Sequence, residues 1–378
     1  GLHLVEDGIA LAVNPCRESA EELAVLPGDG SQTIYTRKLT VPETVCEVDK
    51  LVDIQSSEVL KTYHFSLAAG HEWKLMASAG ESPLLDKVAS IMRLGNGNGD
   101  NCPRLIMSGE YDKAKDGPVG RLDIHMRAGL PRTGWREIDY STMRIWVHHK
   151  VEDVIYEKCS SAGATPEPNK VCFYFFPIYR KVLDAGGMPV HAALVEWEGK
   201  GILLAAPGDS GKSTCCRRLP LPWRVLGDEE ALVIRDQDGS YLAHPFPTWS
   251  DIYERGLKKS WDVQRSVPLS AIFFLEKSEE VEVAKIGRGH AAMQLNRLAR
   301  EKVTRSWWCD DVEEVIRLTC KLFDNSCDLV REIPSYVLRT NLTGRFWEKI
   351  EEVLERGPCA KEKTEETEGV MYEGRSGT

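Results

Sequence analysis

The sequence predicts an α/β fold: a mixed, partly antiparallel sheet carrying a phosphate-binding loop (P-loop) and flanking helices, preceded by a β-rich N-terminal module. Three observations lead there. "GILLAAPGDSGKST" (Gly201–Thr214) sets an apolar strand directly before a glycine-lysine turn and the start of a helix. The strands on either side of it are joined by tight turns, so they pair antiparallel instead of through helical crossovers. The earlier part of the chain is dominated by short β-like runs separated by Gly, Pro and Asp.

The 378 residues suffice for one large domain or two ordinary ones. A hydrophobic share of 42% with 28% charged residues reads as a soluble globular protein. The formal net charge of −10 argues against broad binding to nucleic acid, which needs a concentrated basic face. No apolar run reaches the roughly 20 residues of a membrane helix. The N-terminal "GLHLVEDGIALAVNP" lacks the basic start of a secretory signal. Eleven cysteines without a CxxC pair are expected to be free thiols in a reducing cytoplasm.

Three segments follow: a β-rich module over 1–159, a loop-bearing domain over 160–355 and a disordered tail over 356–378. Residues 1–30 are weakly patterned. "TIYTRKLTV" (Thr33–Val41), "YHFSLA", "EWKLMASA", "RLIMS", "RLDIHMRA" and "MRIWVHH" read as strands. "SPLLDKVASIMRL" (Ser82–Leu94) reads as a helix with Ser82 as its cap and Pro83 in its first turn. "GNGNGDN" follows a helix, not a strand, so it reads as a loop and not as a dinucleotide site. "SSAGATPEPNK" (Ser160–Lys170) is the linker. "VCFYFFPIY" reads as a buried strand, and "PIYRKVLDAGG" as a helix stopped by Gly186 and Gly187. The tail is polar, charged and without an apolar face.

A phosphate loop needs consecutive main-chain N–H groups turned into one concavity, a helix start and a cation. Gly208, Asp209, Ser210 and Gly211 supply the turn, Lys212 the charge, Ser213 a magnesium ligand and Thr214 a second hydroxyl. Ala206 stands where the G-x-x-x-x-G-K-[ST] pattern has its first glycine. Pro220 makes the following helix unusually short, with Arg217 and Arg218 suited to its negative end. "VLGDEE" puts Asp228, Glu229 and Glu230 at the end of the next apolar strand. An acid there can hold magnesium or take the proton of an attacking hydroxyl. His191 opens the strand before the loop; its imidazole serves either the phosphates or the core. "HPFPTWSD" (His244–Asp251) is either a pocket wall, through Phe246 and Trp249, or a loop packed by its aromatics. Trp307–Trp308 read as core or interface. "DDVEEVIRLTCKLF" and "TGRFWEKIEEVLER" read as amphipathic covering helices.

"PVHAALVEWEGKGILLAAPGDSGKST" followed by "RVLGDEEALVI" resembles the HPr kinase/phosphorylase-like group of P-loop kinases, related in fold to phosphoenolpyruvate carboxykinases. "HPFPTWSD" and "VPLSAIFFLE" look closest to the ScmC-type proteins of bacterial peptide-maturation cassettes, which also encode radical-SAM proteins. The resemblance covers roughly residues 160–350. It implies His191 as the active-site histidine and Lys212 with Ser213 on the phosphates and Mg2+. It implies Asp228 as general base toward a substrate serine and Glu229 as metal ligand. Glu229 departs from the family's usual aspartate, and Arg288 in "IGRGHAAMQL" reads as a helix start, not as the family's later arginine signature. The implied activity is an ATP-dependent kinase acting on a hydroxyl of a peptide, small protein or small metabolite. Radical-SAM maturation proteins are implied partners, with neither nucleic acid nor membrane. Relatives form oligomers, which makes a homo-oligomer compatible. Two other readings are a nucleotide-binding accessory module that grips a peptide without phosphoryl transfer, and carboxykinase-like chemistry requiring a second metal.

Overall fold

Two large mixed sheets and six helices make up the described protein. The computed structural model describes residues 5–6, 9–10, 61–95, 102–111, 135–140, 143–148, 152–159, 172–247, 259–303 and 312–356. Two short strands, β1 (Val5–Glu6) and β2 (Ile9–Ala10), pair with each other.

The first sheet has six strands: β3 (Lys61–Leu67), β4 (His71–Ala77), β5 (Arg104–Tyr111), β6 (Trp135–Tyr140), β7 (Met143–His148) and β8 (Val154–Cys159), in the order β3-β4-β5-β8-β7-β6. Its two outer pairs are antiparallel, whereas β4–β5 and β5–β8 are parallel. Period-two alternation turns Phe65, Leu67, Trp73, Leu75 and Ala77 to one buried face. Helix α1 (Ser82–Met92) lays Leu85, Val88, Ala89 and Met92 on that face. Ser82 is its first residue and not its cap: Glu81 holds the cap position, and the Ser82 hydroxyl donates back to the Ser78 carbonyl at 3.0 Å.

The expected strand over 171–179 is instead a 3-10 turn, Cys172–Phe175, running into α2 (Phe176–Asp184). Phe175, Phe176, Ile178, Tyr179, Val182 and Leu183 are buried at helical spacing. An unbroken apolar run suits a buried helix as well as a buried strand, and here the helical face continues past Pro177. The helix stops at Gly186, whose φ of 89° takes the left-handed turn.

The second sheet has nine strands: β9 (Met188–Val190), β10 (Ala192–Trp197), β11 (Lys200–Ala205), β12 (Arg224–Gly227), β13 (Glu230–Arg235), β14 (Tyr241–Phe246), β15 (Val267–Lys277), β16 (Glu282–Lys285) and β17 (Ser335–Thr340). The order β12-β10-β11-β15-β14-β13-β9 has β17 also on β15 and β16 on β17. β11, β15 and β17 are mutually parallel; the remaining pairs are antiparallel. This is the expected mixed, partly antiparallel sheet. Helix α3 (Lys212–Arg218) and α6 (Phe346–Arg356) cover one face, over Ala193, Val195, Ile202, Leu204 and Phe273. On the other face, α2 with α4 (Arg288–Val303) and α5 (Val312–Glu332) buries Leu194, Leu203, Val233 and Ile272. Burial on both faces is why these strands read as continuous apolar runs.

That second core is continuous with the first sheet's. Phe246 is fully buried against Phe65, Phe175 and Tyr179, so it packs the core and does not wall a pocket. Truncating it to Ala would cost about 3–5 kcal/mol. His244 accepts from the Ala68 N–H at Nε2 (3.1 Å) and donates from Nδ1 to the Val263 carbonyl (2.9 Å). Burial pushes its pKa down to about 4, so it bridges the sheets as a neutral ring. The Trp261 N–H donates to the Ile91 carbonyl at 2.8 Å.

The run at Thr33–Val41, "RLDIHMRA", residues 96–101, the linker 160–170, Trp249, Trp307–Trp308 and the tail 357–378 lie outside the described residues. Among the described residues, no helix is long and apolar enough to cross a membrane.

Candidate active site

β10 and β11 form a hairpin closed by Glu198 and Gly199, both with positive φ (51° and 78°). That fits the tight turn expected between these strands. At the other end the pairing of Ala192 with Ala205 is the last of the ladder, and the Ala206 N–H still reaches the His191 carbonyl at 3.4 Å. His191 therefore stands beside the first residue of the loop for reasons of strand register alone.

The loop turns through Asp209 (φ 56°) and Gly211 (φ 103°) and then opens α3 at Lys212. Gly211 is required there, because a side chain at that φ is strained. Ser210 donates to the Pro207 carbonyl at 2.6 Å, and Lys277 reaches the Asp209 carbonyl at 3.2 Å. Lys277 ends β15, which runs parallel to β11, so the two strands deliver their cations to the same end of the sheet. The helix's own ladder begins with the Cys215 N–H, bonded to the Gly211 carbonyl at 2.9 Å, so the N–H groups of Lys212, Ser213 and Thr214 have no intrahelical partner. These are the orphan donors of a helix start.

Lys212 is only 5% exposed and folds back so that Nζ donates to the carbonyls of Ala206 and Pro207, both at 2.7 Å. Burial, and after it the neighbouring Lys302 ammonium, pulls its pKa down to about 8, against the opposing pull of Glu229, Glu301 and Asp209. A cation is thus held in low dielectric beside three carboxylates at the mouth of the loop.

The acidic turn lies across β10 from the loop, between edge strand β12 and β13. Asp228 Oδ2 is 2.9 Å from Lys259 Nζ. Glu230 is a buried structural acid: the Tyr179 hydroxyl donates to it at 2.6 Å, and Lys302 lies 3.4 Å away. Glu229 and Asp228 both face α3 electrostatically, Glu229 toward Lys212 and Asp228 toward Cys216. Burial, with Asp228, pushes the Cys216 thiol up to about 12 and burial also raises Cys215, so neither supplies a thiolate at neutral pH.

His191 is buried, and its Nδ1 lies 2.7 Å from Glu301 Oε2 near the end of α4. That hydrogen bond holds the Glu301 carboxyl below its usual range. The other ring nitrogen, Nε2, is buried without a hydrogen-bond partner. Arg218 is structural: it donates to the carbonyls of Asn341 and Gly344 and lies over the Phe346 ring. Arg217 donates to the Thr214 hydroxyl at 3.2 Å, and Arg288 begins α4.

The structure thus gathers the loop Gly208–Thr214, His191 and the Asp228–Glu229 pair at one sheet edge. It adds Glu301, Lys302, Lys259 and Lys277, which the sequence reading missed. Glu301 and Lys302 sit in "REKV", where opposite charges near a helix end look like a solvated face. Among the described residues, no group of three or more His, Cys, Asp or Glu could hold a metal by itself.

Residues 169–355 match the family model described as SynChlorMet cassette protein ScmC. The matched segment contains the second sheet and every site residue named above; the first sheet lies before it. No curated protein matches the chain.

Proposed function

We propose that the protein is an ATP-dependent kinase of the HPr-kinase-like kind, transferring the γ-phosphoryl group to a hydroxyl of a peptide, small protein or small metabolite. The single observation that carries this is Lys212: a buried ammonium pulled to about 8, beside acids and at the start of a helix whose first N–H groups have no intrahelical partner. Burying a charge this way is costly, and such sites cluster where an anionic ligand or reaction uses the charge. The loop amides and Lys212 would take the β- and γ-phosphates. Ser213 and Glu229 would hold Mg2+, which supplies charge neutralisation. A cation that keeps most of its shell from water and phosphate needs only one or two protein ligands, which fits the absence of a protein-only cage among the described residues. Asp228, held by Lys259, would orient the attacking hydroxyl. Catalysis would then be positioning and electrostatics. Peptides of a maturation cassette are the first acceptors to try, and radical-SAM maturation proteins the first partners.

The test is calorimetry with MgATP, then γ-labelled ATP with cassette peptides. Label on a peptide hydroxyl supports the kinase; no uptake of MgATP removes the whole reading. Bound but intact ATP supports a second reading, a nucleotide-binding module that grips a partner without transfer, which Ala206 in place of glycine and Glu229 in place of aspartate favour.

A further inference from the structure

We infer that the first sheet positions Asp228 through residues 259–265, with Lys259 as the positioning residue that makes the final contact; its part in transfer rests on the kinase reading above. These residues touch both sheets and the acidic turn. On the side of the first sheet, the Trp261 N–H donates to the Ile91 carbonyl of α1 at 2.8 Å, and Arg93 Nε donates to the Ser260 hydroxyl at 3.0 Å. The Ser66 N–H and hydroxyl of β3 both donate to Gln264 Oε1 at 3.2 Å. On the side of the second sheet, His244 donates to the Val263 carbonyl at 2.9 Å, and Arg265 donates to Glu196 of β10 at 2.5 Å. At the turn, Lys259 donates to Asp228 Oδ2 at 2.9 Å. Trp261, only 4% exposed, packs on Gly227, the residue before Asp228: a Cβ at Gly227 would lie 3.5 Å from Trp261 Cδ1.

These anchors decide what Lys259 can do. Its side chain is 32% exposed and that of Asp228 17%, and a partly exposed ion pair on a long flexible stem fixes an acid weakly by itself. Here the main chain is tied down at the next two positions, Ser260 and Trp261, by the C-terminal end of α1. The ammonium is therefore delivered to Asp228 from a fixed base. A carboxylate held at Oδ2 presents Oδ1 in a set direction, which is the orientation an attacking hydroxyl needs. Ser66, Ile91 and Arg93 all precede residue 169, so the groups that anchor this arrangement lie outside the segment that matches the family model.

The test is a double-mutant cycle on the full-length chain. Arg93→Gln combined with Gln264→Ala cuts the side-chain anchors, and Lys259→Met removes the final contact. Amide hydrogen exchange over residues 226–230, without nucleotide, is the first readout. The anchor variant and Lys259→Met are each expected to speed it by about threefold or more, and their combination to add nothing. Unchanged exchange in either, or effects that multiply, overturns the inference. Transfer of label from γ-labelled MgATP to a serine-bearing peptide, or to water, is the second readout. Lys259→Met is expected to lower kcat about tenfold or more with KM for MgATP within about twofold, and Lys259→Arg to restore about a third of wild-type kcat or more. The anchor variant should lower kcat about threefold, but not in the Lys259→Met background. Wild-type kcat in Lys259→Met, or an anchor effect that persists without Lys259, overturns the positioning role. If the anchor variant fails to fold, Ser260→Ala, which removes only the acceptor of Arg93, takes its place. Failure of the kinase reading is distinguishable: it shows as no MgATP uptake by the wild type, and the exchange cycle then decides the positioning of Asp228 by itself.

Discussion

The β10–β11 hairpin has two ends made from the same two strands, and they differ in what they do with charge. At the Glu198–Gly199 end, Lys200 lies over the Trp197 ring at 5.4 Å, and Trp197 stacks on Trp223. Lys200 is half-buried, and its ammonium also donates to the Leu354 carbonyl at 3.5 Å. At the other end, seven residues past β11, Lys212 is buried and pulled to about 8, with the Lys302 ammonium and the Glu229, Glu301 and Asp209 carboxylates acting on it. Both ends close the same ladder, so strand pairing alone needs neither arrangement. A fold has no stability reason to bury a lysine among carboxylates. The asymmetry therefore marks the loop end as the working end.

Four experiments break or sharpen this contrast. The largest effect is expected for Lys212→Ala, which should weaken MgATP binding by about 100-fold or more, since removing a buried ionic partner costs about 2–5 kcal/mol. Calorimetry reads it; affinity within threefold of wild type would put the two ends on the same footing. Next is pH. With Lys212 at about 8 in the free protein, anion binding favours its charged form. Affinity should be full below pH 8 and fall as pH rises above it, by up to about tenfold per unit, until the lysine of the complex itself titrates. ATP is fully ionised in that range, so a flat profile from pH 8 to 9.5 removes Lys212 from the phosphate site.

A smaller, paired effect comes from the glycines. Gly199→Ala and Gly211→Ala each place a side chain at positive φ (78° and 103°) with open space around it. Each should cost about 1 kcal/mol of stability in denaturant titrations. Only Gly211→Ala should also lower MgATP affinity, because it reshapes the loop. The smallest effect is expected for Lys200→Ala, about 0.5–1 kcal/mol from the lost contact with Trp197 and no change in affinity.

Much of the second sheet was legible. Apolar runs joined by tight turns turned out to be strands, in the β10–β11 and β13–β14 hairpins, and Pro220 follows the short helix α3 (Lys212–Arg218). "VCFYFFPIY" was not legible, because a stretch apolar on every side carries no period to separate strand from helix. Phe246 beside two prolines looked like a loop aromatic; only the approach of the first sheet made it core. At the site, His191, Lys212 and the Asp228–Glu229 pair were readable because each lies within or next to a strand end that the turns locate. Lys259 and Lys277 were not, since each acts through a contact made far along the chain.

What the residues by themselves determined is local: the turns, the glycine that permits φ near 103°, the short helix and the chemistry carried by the loop. These depend on neighbours a few positions apart, so steric limits on the backbone and the order of side chains suffice to specify them. What only the tertiary structure decided is which charges share a low-dielectric space. Glu301 meets His191 across 110 positions, and Lys302 meets Glu230, because α4 packs over the strands that carry them. Burial sets the protonation state of Lys212 and packing brings Glu301 to His191, and both are properties of tertiary structure, not of sequence order.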